Sequence, residues 1–128
     1  MKALGKQLII EFYNCDREIL NDKAKIGEIM ANAVEISGAT IIKPFFHKFS
    51  PHGVSGVIVI AESHFSIHTW PEYGYAAVDI FTCGEKIDDN KAFKYLKKEL
   101  KSRSPQIITI KRGALNIPES EIHHKPET

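Results

Sequence analysis

Two cysteines, Cys15 and Cys83, are all this chain contains, too few for a disulfide framework, so each thiol reads as packing or as reactivity. An excess of one charge is also missing. Seventeen Lys and Arg against sixteen Asp and Glu leave a net charge of +1, with no global field to recruit nucleic acid or an acidic membrane. No run approaches the roughly eighteen apolar residues of a membrane span, and Met1 to Gly5 lacks the apolar stretch of a secretion signal. The expectation is a cytoplasmic protein with no nucleic-acid or membrane partner, its thiols reduced. No internal repeat is visible, and no serine sits between the glycines of a nucleophile elbow, which disfavours an α/β-hydrolase. The 128 residues fit one domain, 1–128, able to bury a sheet face under one layer of helices.

What is present alternates or recurs with clear periods. Leu8, Ile10 and Phe12 alternate with Gln7, Ile9 and Glu11, predicting a strand over 6–13 that is partly buried on both faces. Asn21 or Asp22 caps a helix in which Ile26, Ile29, Met30, Ala33 and Val34 form the apolar stripe and Gly38 the stop. Thr40 to Phe49 is β-branched and aromatic but holds Pro44, which removes a ladder donor and predicts an edge or a bulge. After the turn Ser50-Pro51-His52-Gly53, Val54 to Ile60 and Tyr75 to Phe81 read as strands, with a loop over Pro71 to Gly74. Asp88 or Asp89 caps a second helix with Ala92, Phe93, Leu96 and Leu100 on its apolar face, and Gln106 to Lys111 is the last strand. Short links between strands predict an α/β fold of the α+β kind, a two-layer sandwich with a largely antiparallel sheet and two helices on one face. Residues 114–128 read as a loose polar tail.

The stretch AESHFSIHTWPEYGYAAVDIFTCG, Ala61 to Gly84, carries the chemistry-bearing residues, and strands flank it. His64 and His68 are four apart, but Phe65, Ile67, Thr69 and Trp70 favour an extended segment, and no third ligand stands at a useful spacing. No metal site is expected there, nor at His123-His124 in the tail. Cys15 reads as a small buried hydrophobe, whereas Cys83, beside Gly84 and after a strand, is placed for thiol chemistry. A thiol-protease reading is weak, since Cys83 follows His68 by fifteen residues without a local nucleophile signature. Ser63 alone reads as an ordinary strand-end serine. The lysines Lys91, Lys94, Lys97, Lys98 and Lys101 read as the solvated face of the second helix.

With these residues in order, the chain resembles the short prokaryotic class of S-adenosylmethionine decarboxylases, pyruvoyl enzymes of polyamine synthesis. FHKFSPHGVSGVIVIAESHFSIHTWPEYGYAAVDIFTCG, Phe46 to Gly84, resembles the central block of that family, and LGKQLIIEFYNC and the IKRG at Ile110 to Gly113 also fit. The resemblance implies a proenzyme that cuts itself between Glu62 and Ser63 into 1–62 and 63–128. Ser63 would attack its own preceding carbonyl, and the ester would then eliminate to leave a pyruvoyl group, the only cofactor implied. By the same resemblance His68 takes the Ser63 α-proton, Ser55 assists the acyl shift, and Cys83 returns a proton to the substrate in decarboxylation. The pyruvoyl carbonyl forms a Schiff base with S-adenosylmethionine and stores the electron pair released with carbon dioxide, yielding the aminopropyl donor for spermidine.

Recognition of the substrate is assigned, again by resemblance, to Phe49 and Trp70 for the sulfonium or adenine, Glu72 for the ribose diol and Glu62 near the adenine. The family assembles its site between two protomers, so a homodimer is implied, with Ser63 and Cys83 meeting Phe49, Ser55, His68 and Glu72 partly from the neighbour. Two rival readings remain open on the sequence. One is a pyruvoyl decarboxylase of the same fold acting on arginine or ornithine; the other is an unprocessed, nucleoside-binding regulator.

Overall fold

Leu8, Ile10 and Phe12 are buried along β1 (Gly5–Tyr13) while the residues between them stay half-exposed, and that alternation recurs in the neighbouring strands. The computed structural model describes residues 3–123. After β1 come α1 (Arg17–Leu20), α2 (Lys23–Ser37), β2 (Ile41–Lys48), β3 (Val54–Ile60), β4 (Ser63–Trp70), β5 (Tyr75–Cys83), α3 (Asp89–Glu99) and β6 (Ser104–Arg112). The strands form one six-stranded sheet in the order β2-β3-β4-β5-β1-β6, and every neighbouring pair is antiparallel. This is the expected two-layer α+β sandwich.

The helices start and stop where their caps dictate. The Asp22 carboxylate accepts from the Lys25 amide at 3.0 Å and Asp88 from the Lys91 amide at 3.1 Å, so Asp22 and Asp88, not Asn21 and Asp89, are the caps. Gly38 closes α2 in the left-handed conformation, with φ 87°. Ile26, Ile29, Met30, Ala33 and Val34 turn one side of α2 into the core, where Ala92, Leu96 and Leu100 join them from α3 and its end. Each large apolar side chain buried this way contributes about 1.5–3 kcal/mol.

Alternate residues of the strands face away from the helices. On this open face lie Ser55, Val57 and Val59 of β3, and His64, Ser66 and His68 of β4, none of them fully buried. Phe45 and Ile108 are 54% and 60% exposed on the same side. The chemistry-bearing residues therefore share a surface with exposed apolar ones.

Several elements differ from the sequence reading. The short α1 was not foreseen, because four residues are too few to show a helical period. β6 begins at Ser104 rather than Gln106 and contains Pro105, tolerated because β6 is an edge strand. β2, with Pro44, is the opposite edge, and its register shifts between Ile41 and Lys43. The loop at Pro71 to Gly74 is a 3-10 turn closed by Gly74 at φ 62°. In the tail, Glu119–Glu121 form a 3-10 turn and Ile122 is buried, which a wholly loose tail would not show. The tail expectations for 124–128, including His124, lie outside the described residues.

Candidate active site

A two-residue turn, Ala61-Glu62, joins β3 to β4 and sets the geometry around it. Because Ile60 pairs with Ser63 across the turn, each step back along β3 is matched by a step forward along β4. That register lays Ser55 opposite His68, and the Ser55 Oγ and His68 Nδ1 lie 2.7 Å apart. On the other side of β4, Ser63 pairs with Thr82, which brings Cys83 to the turn.

Around Ser63 the peptide linking it to Glu62 is held from several directions. The Cys83 amide donates to the Glu62 carbonyl oxygen at 2.8 Å, and the Ser63 Oγ lies 3.3 Å from the Cys83 Sγ. The Thr40 amide donates to the Glu62 side chain at 3.3 Å, while the Ala61 amide donates to the Thr40 carbonyl at 3.0 Å. Ser63 itself has φ 145°, a region favouring glycine, which stores about 1–3 kcal/mol at the residue. Gly5 pairs with Cys83, and a Cβ there would sit 2.6 Å from the Thr82 carbonyl and 3.2 Å from the Cys83 sulfur. Only glycine lets β1 approach this closely. Sequence reasoning missed Gly5, whose role shows only once β1 lies beside β5.

A second cluster occupies the far end of β4. Phe49, Ser55, His68, Trp70 and Glu72, five of the residues singled out in the sequence, line one depression of about 400 Å3 together with His52. Glu72 projects from the 3-10 turn, and the His52 Nε2 lies 3.0 Å from its Oε2. Trp70 stacks on Tyr75, which stacks on Tyr13, with centroid separations of 5.2 and 5.4 Å. The Tyr75 hydroxyl donates to Glu11 at 2.7 Å; burial, then that contact, hold its proton well above the usual phenol range. Beneath the depression, Thr69 is buried, accepting from the Val54 amide at 2.9 Å and donating to the Leu20 carbonyl at 2.8 Å.

The two clusters do not meet within one chain. Ser63 and His68 are separated by five steps along one strand, about 16 Å at the usual rise per residue. The structure thus brings together Glu62, Ser63 and Cys83 at one end, and Phe49, Ser55, His68, Trp70 and Glu72 at the other. His64 belongs to neither grouping; its ring meets Phe81 edge-on at 5.7 Å. Among the described residues, no three His, Cys, Asp or Glu side chains are grouped to hold a metal ion.

An antiparallel sheet under two main helices, with a serine and a cysteine meeting at a tight hairpin, defines an α+β sandwich with hydroxyl and thiol groups gathered at one turn. Its family follows from comparison with known proteins. The family model for S-adenosylmethionine decarboxylase matches residues 6–113, and the chain belongs to that family. It is 54% identical over 126 residues to the S-adenosylmethionine decarboxylase proenzyme of Thermosipho africanus, covering 96% of this chain and 97% of the relative. The proenzyme of Thermotoga maritima is 53% identical over the same shares of the two chains. A crystal structure of the adenosylmethionine decarboxylase from Aquifex aeolicus superposes with a TM-score of 0.84 at 34% identity, covering 96% of this chain and 99% of that one.

Proposed function

We propose that this chain is a self-processing proenzyme whose mature form decarboxylates S-adenosylmethionine, producing the aminopropyl donor for spermidine. The observation that carries the reading is the junction at Glu62-Ser63. A strained serine adjoins the peptide it must attack, and an amide already donates to that peptide's carbonyl oxygen.

Attack by the Ser63 Oγ on the Glu62 carbonyl carbon forms a C–O bond and places negative charge on an oxygen that the Cys83 amide stabilises. Breaking the C–N bond gives an ester and frees the Ser63 nitrogen. Removal of the Ser63 α-proton then expels the Glu62 carboxylate, and water releases ammonia from the remaining enamine to leave a ketone. His68 is the base for that proton. With its Nδ1–H donating to the Ser55 Oγ, the Nε2 lone pair is free to accept, and the Ser55 O–H is left to donate to the developing oxyanion. One tautomer serves both roles.

These residues fit a pyruvoyl group at position 63, which supplies a carbonyl able to hold the electron pair released with carbon dioxide. Cys83 returns a proton to the substrate, a role supported by its thiol lying 3.3 Å from the Ser63 Oγ. Phe49 and Trp70 face the sulfonium or adenine, and the Glu72 carboxylate accepts from the ribose hydroxyls; Glu62, left as a chain end, lies near the adenine. The 16 Å separation of Ser63 from His68 is bridged by a second copy, related by a two-fold axis that brings each chain's Ser63 end to its neighbour's His68 end. The exposed apolar residues of the open face support such a dimer. Free thiols at Cys15 and Cys83 suit a reducing cytoplasm.

Denaturing mass spectrometry of the purified protein tests this reading. Two fragments, 1–62 and 63–128, the second with a blocked amino end, are expected. One intact species of 14.4 kDa after long incubation would favour the nucleoside-binding regulator. Turnover of arginine or ornithine in preference to S-adenosylmethionine would favour the same-fold rival.

A further inference from the structure

His52 has no part in processing or decarboxylation as set out above, yet it stands in the depression that holds Glu72. It projects from a four-residue turn pinned at both ends. The Phe49 amide donates to the Gly53 carbonyl at 2.8 Å, and the Gly53 amide donates to the Asn21 side chain at 2.9 Å. Gly53 has φ 111° and its Cα passes close to the Thr69 carbonyl, where a Cβ would lie at 3.3 Å. The turn is therefore fixed to the same strand that carries His68 and leads to Glu72.

We propose that His52 is a positioning residue for the nucleoside end of the substrate, acting through Glu72. The inference rests on the reading of Glu72 as the acceptor for a vicinal diol. Glu72 is a long side chain on a short 3-10 turn, 37% exposed, with several rotamers open to it in solution. A diol gains affinity from a carboxylate only if both oxygens are already aimed at it, because ordering the side chain on binding costs free energy. The His52 Nε2–H, 3.0 Å from Oε2, supplies that order. It occupies one lone pair of Oε2, leaving the other and both of Oε1 for two hydroxyl protons.

Kinetics of the processed enzyme separate this from a merely structural role. His52→Ala is expected to raise KM for S-adenosylmethionine about five- to ten-fold with kcat unchanged. His52→Gln places an amide donor the same number of bonds from the backbone as Nε2 and should restore KM; His52→Asn is one bond short and should not. The diol itself is read with 5′-methylthioadenosine and its 2′-deoxy analogue as competitive inhibitors. Wild-type enzyme should favour the diol-bearing compound, and His52→Ala should shrink that preference. If Glu72→Ala abolishes the preference while His52→Ala leaves it and KM intact, the role of His52 is wrong and that of Glu72 stands. If Glu72→Ala itself leaves the preference unchanged, the Glu72 reading fails and the proposal falls with it. Equal KM in the Gln and Asn variants would likewise overturn the positioning role.

Discussion

The amide of Cys83 donates to the carbonyl oxygen of Glu62 at 2.8 Å, so the residue whose thiol lies beside Ser63 also offers a backbone proton to the peptide that Ser63 attacks in the proposed self-cleavage. The two contributions separate by mutation, since the amide survives any change of side chain except to proline. Cys83→Ala is expected to mature within a few-fold of the wild-type rate, while kcat falls by about 10²–10⁴ from loss of the proton donor. Mass spectrometry and radiolabelled carbon dioxide release read the two effects. Normal turnover in this variant would remove Cys83 from the catalytic step.

Gly5 carries no reactive group, yet it should matter for maturation. A Cβ at Gly5 lies 2.6 Å from the Thr82 carbonyl, a backbone atom that can retreat only by shifting the Thr82–Cys83 segment. Gly5→Ala is expected to slow self-cleavage at least ten-fold by displacing the Cys83 amide from the Glu62 carbonyl. Time courses of chain cleavage on electrophoresis check this.

Separation of Ser63 from His68 by about 16 Å predicts complementation between two inactive chains. Neither Ser63→Ala nor His68→Ala should mature efficiently alone. Co-expressed, they form mixed dimers in which one site carries both defects and the other neither. The His68→Ala chain should then be cut, and the Ser63→Ala chain should stay intact. Absence of any cut chain in an isolated mixed dimer would place the base in the same chain as its serine.

Cys15 should be inert where Cys83 reacts. Burial pushes the Cys15 thiol up to about 11, an effect only partly offset by Ser102, and its proton is directed to the Phe12 carbonyl. At pH 8 roughly one molecule in a thousand carries the thiolate. Iodoacetamide is expected to label Cys83 in the unprocessed Ser63→Ala chain and to spare Cys15 until the protein unfolds. An unfolded cysteine loses its proton near about 8.5, so the native state keeps a proton that the unfolded state releases. The contribution is fully present below that value and is lost as pH rises towards about 11, a slope that Cys15→Ala should remove from thermal denaturation curves.

Thr69 sits between His68 and Trp70 but points into the core, where it satisfies both the Val54 amide and the Leu20 carbonyl. Thr69→Val keeps the volume and orphans both groups, at about 1–3 kcal/mol for each buried polar atom left unpaired. Chemical denaturation of the Ser63→Ala chain, which avoids a mixture of cut and uncut species, measures that loss.

Most of this fold is legible from period and punctuation: the apolar stripe of α2, the edge position of Pro44 and the alternation of β1 all carry over into the structure. The roles of the site residues are legible only through family likeness: Ser63 alone looks like an ordinary strand-end serine, and Cys83 alone suggests thiol chemistry without saying which. The meeting of Ser55 with His68 follows from a two-residue turn that fixes the register of β3 and β4, and that of Ser63 with Cys83 from the register of β4 against β5. Invisible in the sequence are long-range placements such as β1 between β5 and β6, and with it the role of Gly5, because local pattern says nothing about which distant strand becomes a neighbour. The pairing of His52 with Glu72 is hidden for the same reason, as the two turns meet only through the sheet.

Because β1 lies between β5 and β6 while β3 lies beside β4, the pieces on either side of the Glu62-Ser63 bond are laced through one another. Three hydrogen-bonded ladders, β3 with β4, β5 with β1 and β1 with β6, run between them. Severing the hairpin tip as proposed would disturb none of these, so the nicked molecule would keep its weave, with two new chain ends on a scaffold that has no reason to come apart.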